Sequence, residues 1–413
     1  MNELEAERYL RSLELFGMRF GLDRMRRLMT ALQHPERRFR SIHVVGTNGK
    51  SSTTRMIAAI LARHGLRTGA YLSPHLVFFG ERIRIDEHDL EPERFAAAIT
   101  RAARAAELVN RSAGPDDRVT QFEALTAAAY SELAERGVEV GVVEAGLGGR
   151  YDATSVIPSS VQVLTSVGLE HTRWLGPTLA DIAGEKLAVV KPGSTLVLGA
   201  ELDPVVEQIA ERVAGEQGAT IVHAGVDPGV PVGAPGAYQR RNFAVARAAA
   251  QVFLGELDEA AVAAAAAEVR VPGRLQQVDE APVTLLDGAH NPDGMRALVQ
   301  SLDEIAQRHG RVIATVSILD DKDAAAMLQA LLPVCSGVVF TSSASPRALP
   351  PPTLQSLAAQ LNGPPAEVVR EPGRALDRAQ ELAGPDGLVI ATGSLYLVAD
   401  LLARAQHREA QAL

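Results

Sequence analysis

The residues best equipped for chemistry stand in one short run, Ser41-Ile-His-Val-Val-Gly-Thr-Asn-Gly-Lys-Ser-Ser52. β-Branched residues at 42–45 predict a strand, and apolar spacing at 56–61 predicts a helix that Lys50 opens. Between them Gly46 and Gly49 let the backbone come close to a ligand. Strand, glycine turn and helix N-terminus together aim N–H groups and a helix dipole at a polyphosphate. Lys50 would reach the β/γ oxygens, with Ser51 or Ser52 facing Mg²⁺. Two residues separate the glycines, where the common phosphate loop has four. A plain glycine turn is the competing reading; a lysine and two hydroxyls at the helix start favour nucleotide.

Further candidates lie just past strand-like runs. Glu144 ends an apolar run and leads into Ala-Gly-Leu-Gly-Gly-Arg-Tyr-Asp152, a place to hold Mg²⁺ or, alternatively, to pair with Arg150. Gly168-Leu-Glu-His171 follows another strand, and His171 reads as a metal ligand, a general base or a surface residue. Lys186 sits in a helix whose apolar side carries Ile182, Leu187 and Val190, where helix surface is the ordinary fate of a lysine. Asp287 and His290 in Leu285-Leu-Asp-Gly-Ala-His-Asn-Pro292 are placed for ribose or phosphate oxygens, or for an Asx turn before a helix. Ser394, after Gly393, is an anion contact or a simple N-cap.

These residues need a scaffold of alternating strands and helices. Strands are expected at 42–45, 68–72, 138–143, 161–165 and 195–198, with helices at 93–108, 122–136 and 179–190 between them. A second alternating set starts near 283, with strands at 283–286, 312–316, 338–341 and 388–391. The alternation predicts an α/β fold with parallel sheets covered on both faces. At 413 residues the chain is long for one core, so two domains are expected, 1–279 with the phosphate loop and 280–413, hinged between Pro272-Gly273 and Ala281-Pro282. A net charge of −9 argues against nucleic acid as a main partner, and the Arg-rich stretch 24–40 reads as the solvated face of an N-terminal helix. A single cysteine, Cys335, rules out an internal disulfide and suits a reducing compartment. The acidic start, Met1-Asn-Glu-Leu-Glu, is unlike a signal peptide, and the charges within the alanine-rich 243–269 exclude a membrane span; a cytoplasmic protein is expected.

Taken together, these segments resemble the folylpolyglutamate synthase/dihydrofolate synthase family of the Mur ligase superfamily. The resemblance runs from Phe16-Gly-Met-Arg-Phe-Gly-Leu22 to Gly393-Ser-Leu-Tyr-Leu397 and includes Gly46-Thr-Asn-Gly-Lys50, Ser73-Pro-His-Leu76, Glu81-Arg-Ile83 and Glu144-Ala-Gly-Leu-Gly-Gly-Arg150. Gly168-Leu-Glu-His171, Glu185-Lys186, Pro272-Gly-Arg-Leu275, Asp287-Gly-Ala-His-Asn-Pro292 and Asp321-Lys-Asp323 follow in order. It implies a P-loop central domain of Mur-ligase type, with a parallel-rich sheet, and a smaller Rossmann-like C-terminal domain that binds glutamate. It implies an ATP-dependent ligase that phosphorylates the carboxylate of a pteroate or folate, after which the amine of L-glutamate displaces phosphate. By match, Thr47, Asn48, Gly49, Lys50, Ser51, Ser52, Asn242, Arg274 and Asp287 contact ATP, with domain closure completing the site.

Ser73, Glu144 and His171 match the Mg²⁺ ligands, and Lys186 matches a lysine that is carbamylated and helps to hold a second Mg²⁺. Segments matching the pteroate site of bifunctional members are Thr120-Gln121-Phe122-Glu123 and Tyr151-Asp152-Ala153; Phe122 would stack on a pterin and Asp152 pair with its donor edge, or each serves helix and loop structure. His290 and Ser394 stand on the glutamate side. Two positions depart from the pattern: Ser51 where glycine is frequent, and Tyr238 where histidine is frequent, the latter an aromatic that would stack if it met adenine. The implied partners are ATP, L-glutamate, dihydropteroate and reduced folates, and the implied state is a monomer. Alternatives are a synthase that extends only the glutamate tail, a Mur-type ligase acting on another acid, and a P-loop switch that ligates nothing.

Overall fold

The computed structural model describes residues 1–13, 21–114, 117–307 and 309–412, so positions 16–20 of the segment that opens the resemblance lie outside the described residues. The chain forms two compact units, Met1–Gly233 with Arg240–Val269, and Ala234–Gln239 with Arg270–Leu413.

The first unit is built on strands β1 (Arg40–Val45), β2 (Thr68–Tyr71), β3 (Ile83–Ile85), β4 (His88–Asp89), β5 (Val140–Glu144), β6 (Val161–Leu164), β7 (Thr195–Leu198) and β8 (Thr220–His223), in the order β4-β3-β2-β5-β1-β6-β7-β8. From β2 to β8 every pairing is parallel, and β3 and β4 add an antiparallel edge. The central strands are apolar-rich and carry no exposed alternation because both of their faces are covered: β5 is buried throughout, and β1 everywhere but Arg40. On one side lie helices Pro92–Arg111, begun by proline, and Gln121–Glu135, begun by a capping box of Thr120 and Glu123. Phe95, Ile99, Leu125, Tyr130 and Leu133 from these helices pack on Tyr71 of β2, and burying each large side chain contributes about 1.5–3 kcal/mol. The expected solvated Arg-rich helix differs in part. It spans Asp23–Ala31, and Arg24 is buried, donating to Glu123 at 3.0 Å and to Asp117 at 2.7 Å, because two carboxylates compensate its desolvation.

The chain leaves β1 to one side for β2, comes back beside β1 as β5, and then crosses to its other side as β6. The carboxyl ends of β5, β1 and β6 therefore meet at a topological switch point, where open α/β sheets bind ligands. Val44 of β1 is in register with Glu144, and Val45 with Leu164.

The second unit has strands β9 (Gln276–Glu280), β10 (Val283–Leu286), β11 (Val312–Val316), β12 (Gly337–Phe340), β13 (Ala366–Val368) and β14 (Leu388–Thr392), in the order β13-β12-β11-β14-β10-β9. Only β9 is antiparallel. A boundary at 279 would fall inside β9, which hydrogen-bonds to β10 and so belongs to this sheet. Leu298, Leu302, Met327, Leu328, Phe340 and Ile390 form the core of a Rossmann-like layer. Among the described residues no helix is long and apolar enough to cross a membrane.

Candidate active site

β1 ends at Val45, and the loop that follows turns into helix Lys50–Arg63. Gly49, at φ +83°, is the N-cap of that helix, and having no side chain it leaves the first N–H groups to an anion. A Cβ on Gly49 would stand 2.5 Å from Oδ1 of Asn242, and one on Gly46 would collide with Oγ1 of Thr165. Both glycines are thus required by close packing as well as by backbone angle. The loop is held from β6: Thr165 Oγ1 donates to Asn48 O at 2.7 Å, and Asn48 N donates to Ser166 Oγ at 2.9 Å. Gly168 N donates to Thr47 Oγ1 at 3.0 Å. Lys50 folds over the loop, its Nζ donating to Gly46 O and Thr47 O, both at 3.1 Å.

Glu144 closes the other side. It is 1% exposed, accepts from Ser51 Oγ at 2.9 Å through Oε1, and accepts from Ser73 N at 3.1 Å through Oε2. Arg150 pairs with Glu185 at 2.8 Å instead, so the alternative Glu144–Arg150 pair is not formed. Lys186, on helix Leu179–Leu187, is only 4% exposed and donates from Nζ to Gly46 O at 2.7 Å. Burial first, and the neighbouring Lys50 second, bring its ammonium down to about 7. Helix surface, the ordinary place of a lysine, is therefore not where Lys186 lies. His171 adopts the left-handed conformation at φ +53° as the N-cap of helix Thr172–Leu175, with Nε2 3.9 Å from Glu170 Oε1.

The donors around this loop fit Mg²⁺. Among the described residues no three His, Cys, Asp or Glu side chains gather into a cluster able to hold a metal. A buried carboxylate with a hydroxyl 2.9 Å away, beside a helix N-terminus open to an anion, suits instead an ion shared between one or two protein oxygens and phosphate oxygens.

In the second unit, Asp287 follows β10 and accepts from Ala289 N at 2.8 Å, the Asx turn, and also from Leu275 N at 2.9 Å and Tyr238 Oη at 2.6 Å. Arg274 lies over Gly288, where any Cβ would collide with its guanidinium. His290 donates from Nδ1 to Gly288 O at 2.7 Å. Asn291 caps helix Pro292–Ala306, accepting from Gly294 N at 2.8 Å. Ser394 accepts from Tyr396 N at 3.1 Å, the geometry of a plain N-cap for helix Leu395–Ala412.

Residues 273–395 match the family model described as "Mur ligase, glutamate ligase domain". The Mycobacterium tuberculosis dihydrofolate synthase/folylpolyglutamate synthase is 35% identical over 384 residues, covering 83% of this chain and 78% of that protein. The chain belongs to the dihydrofolate synthase/folylpolyglutamate synthase family of the Mur ligase superfamily. Its fold follows solved members closely. The M. tuberculosis folylpolyglutamate synthase complexed with ADP aligns with a TM-score of 0.90 at 32% identity, over 98% of both chains. E. coli FolC in complex with DHPP and ADP aligns with a TM-score of 0.88 at 28% identity, over 99% of both.

The segments that match the pteroate site of bifunctional family members divide into framework and surface. Thr120 and Glu123 form the capping box, Glu123 also holds Arg24, and Gln121 Nε2 donates to Leu10 O at 2.8 Å. Ala153 is buried, and Asp152 accepts from Leu147 N at 2.8 Å and from the N–H and hydroxyl of Thr154. Burial raises the Asp152 carboxyl above its usual range. Asp152 thus anchors the loop. Phe122 packs beside Tyr71, with ring centroids 6.1 Å apart, and Tyr151 is 46% exposed, leaving these two aromatics as the ligand-facing candidates of the seven. Two residues that hold the glycine loop were not singled out from sequence, Thr165 and Ser166. A polar pair directly after an apolar strand was their one signal. Tyr238, a position that departs from the family pattern, donates its hydroxyl to Asp287.

Proposed function

We propose that this ligase couples ATP cleavage to addition of L-glutamate, both to dihydropteroate and to the glutamate tail of reduced folates. The observation that carries the reading is the junction of Lys50, Ser51 and Glu144 at the switch point of the first sheet, in a chain that belongs to this family. A substrate carboxylate oxygen attacks the γ-phosphorus and ADP departs; the glutamate nitrogen then attacks the acyl carbon, phosphate leaves, and the nitrogen loses a proton. Little covalent work falls to the protein in such a transfer, and positioning with charge neutralisation does most of it.

Lys50 exchanges the carbonyls of its own loop for phosphate oxygens, and the N–H groups of residues 49–52 at the helix start cradle them. Ser73, Glu144 and His171 would hold a Mg²⁺, with Lys186 at a second, and bound Mg²⁺ supplies charge neutralisation at the transferring phosphoryl group. Burial of Lys186 supports its carbamylation: the neutral amine attacks CO₂, an N–C bond forms, one amine proton leaves, and a cation becomes an anion. Asn242, Arg274 and Asp287 are assigned to the nucleoside, Phe122 and Tyr151 to the pterin and aminobenzoate rings, and His290 and Ser394 to glutamate. The phosphate-binding and folate roles thus fall to the first unit and the glutamate role to the second, which also lends Arg274 and Asp287 to the nucleoside, in a cytoplasmic monomer.

The test is phosphate release from ATP with dihydropteroate or tetrahydrofolate, each with and without L-glutamate. Glutamate-dependent release with both acids is expected. Release with tetrahydrofolate alone would reduce the enzyme to tail extension, and release with neither would overturn the reading.

A further inference from the structure

Asp287 is a carboxylate with nearly all its capacity used. A carboxylate has about four acceptor positions, and three are filled within the described residues: Ala289 N at Oδ1, with Leu275 N and the Tyr238 hydroxyl at Oδ2. One acceptor position is left, on Oδ1. The residue is buried, so its orientation is set by these donors and not by solvent. Two of the three donors are backbone N–H groups close to it in chain or register. The third is a side chain 49 positions away, and at 2.6 Å it is the shortest of the three.

We propose that Tyr238 is a positioning residue for the nucleotide: by donating to Oδ2 it fixes the Asp287 carboxylate so that Oδ1 accepts a single ribose hydroxyl. The proposal rests on the assignment of Asp287 to the nucleoside made above. Its chemistry follows from the inventory of donors. A phenol has one hydrogen to donate, and burial together with the Asp287 charge pushes its ionisation well above the usual range, so the hydrogen stays in place at any working pH. Removing the hydroxyl leaves Oδ2 with Leu275 N alone and lets the carboxylate turn, so the loss should be specific to ligands that offer a hydroxyl. Tyr238 is also anchored beside the carboxylate, since Ala237 N donates to Ser301 Oγ at 3.0 Å and the ring packs on the core of the second unit. A histidine at 238, which retains an N–H, should serve the same end.

The experiment measures the affinity of the full-length enzyme for Mg²⁺–ADP and for 2′,3′-dideoxy-ADP by calorimetry, in wild type, Tyr238→Phe, Tyr238→His and Asp287→Ala. The ratio of the two affinities within one preparation is insensitive to a misfolded fraction. Wild type is expected to prefer ADP by about tenfold or more, as a hydrogen bond to a charged group is worth about 1.5–3 kcal/mol. Tyr238→Phe should lose about five- to tenfold for ADP and almost nothing for the dideoxy analogue, with KM for L-glutamate unchanged. Tyr238→His should recover most of the preference. Equal losses for both nucleotides, unchanged ADP binding, or no recovery in Tyr238→His would overturn the proposal. If Asp287→Ala, which removes the acceptor altogether, keeps the wild-type preference, the nucleoside assignment itself falls; if that variant loses it while Tyr238→Phe does not, only the role of Tyr238 falls.

Discussion

Two lysines converge on one carbonyl oxygen: Gly46 O accepts from Lys50 at 3.1 Å and from Lys186 at 2.7 Å. Burial of Lys186 first, and the nearby Lys50 second, disfavour its ammonium, whose ionisation falls to about 7. Below that pH the side chain is an ammonium, which cannot attack CO₂; above it, the amine is available. The prediction is that carbamate from ¹³C-bicarbonate, read by NMR, rises as pH passes upward through about 7. Lys186→Arg, charged at every pH, should abolish that signal and lower kcat by about 10²–10³, the scale on which a charge-stabilising group acts. Full activity in Lys186→Arg would remove the residue from the machinery. The same contact explains why sequence undervalued Lys186. Its helix pattern was legible, but its burial depends on Gly46, 140 positions away.

Elements were legible in proportion to their burial. The strands expected near 42, 68, 138, 161, 195, 283, 312, 338 and 388 all form, because each is an inner strand or a well-buried one whose apolar run stands out. Those not foreseen, β3, β4, β8, β9 and β13, all lie at or next to a sheet edge, where half-exposed residues such as Gln276–Glu280 leave no apolar run to see. The site was legible where a strand end meets a glycine, as at Gly46 and Glu144. It was not legible where function hangs on a cross-chain bond such as Tyr238–Asp287. The phosphate loop supplies the prediction at this scale. Thr165 Oγ1 both anchors Asn48 O at 2.7 Å and occupies the place a Cβ on Gly46 would need. Gly46 also has φ +154°, at the margin of the region that favours glycine. Gly46→Ala must therefore push Thr165 off the loop. Affinity for Mg²⁺–ADP should fall by about 100-fold or more, while overpacking costs about 1–3 kcal/mol of stability. Binding as tight as wild type would mean that Thr165 is not what shapes the loop.

At the scale of the whole molecule, the two units should respond differently to acid. Among the described residues, the two histidines with strongly lowered pKa lie in the first: His43 in β1, fully buried and hydrogen-bonded through Nε2 to Thr154 Oγ1 at 2.8 Å, and the half-buried His75, which accepts from Arg82 Nε at 2.9 Å. Burial, aided by Lys191 at His43 and by Arg82 at His75, brings each down to about 3 from 6.5. Between pH 6.5 and about 3 the unfolded chain takes up protons that the folded unit refuses, so stability falls as pH falls through that window. Asp152 in the same unit opposes this, its raised carboxyl binding a proton earlier in the folded state, but it is one group against two. In the second unit the raised carboxyl is Asp400, whose folded form gains relative stability as pH falls. Calorimetry from pH 7 downward should therefore show one transition moving to lower temperature by several degrees while the other lags behind, and hydrogen exchange should place the early one in residues 1–233 and 240–269. His43→Gln should flatten the slope of the moving transition, since it removes one of the two sites that bind the proton only on unfolding. Parallel movement of both transitions would mean that acid lability arises elsewhere than in these two imidazole rings.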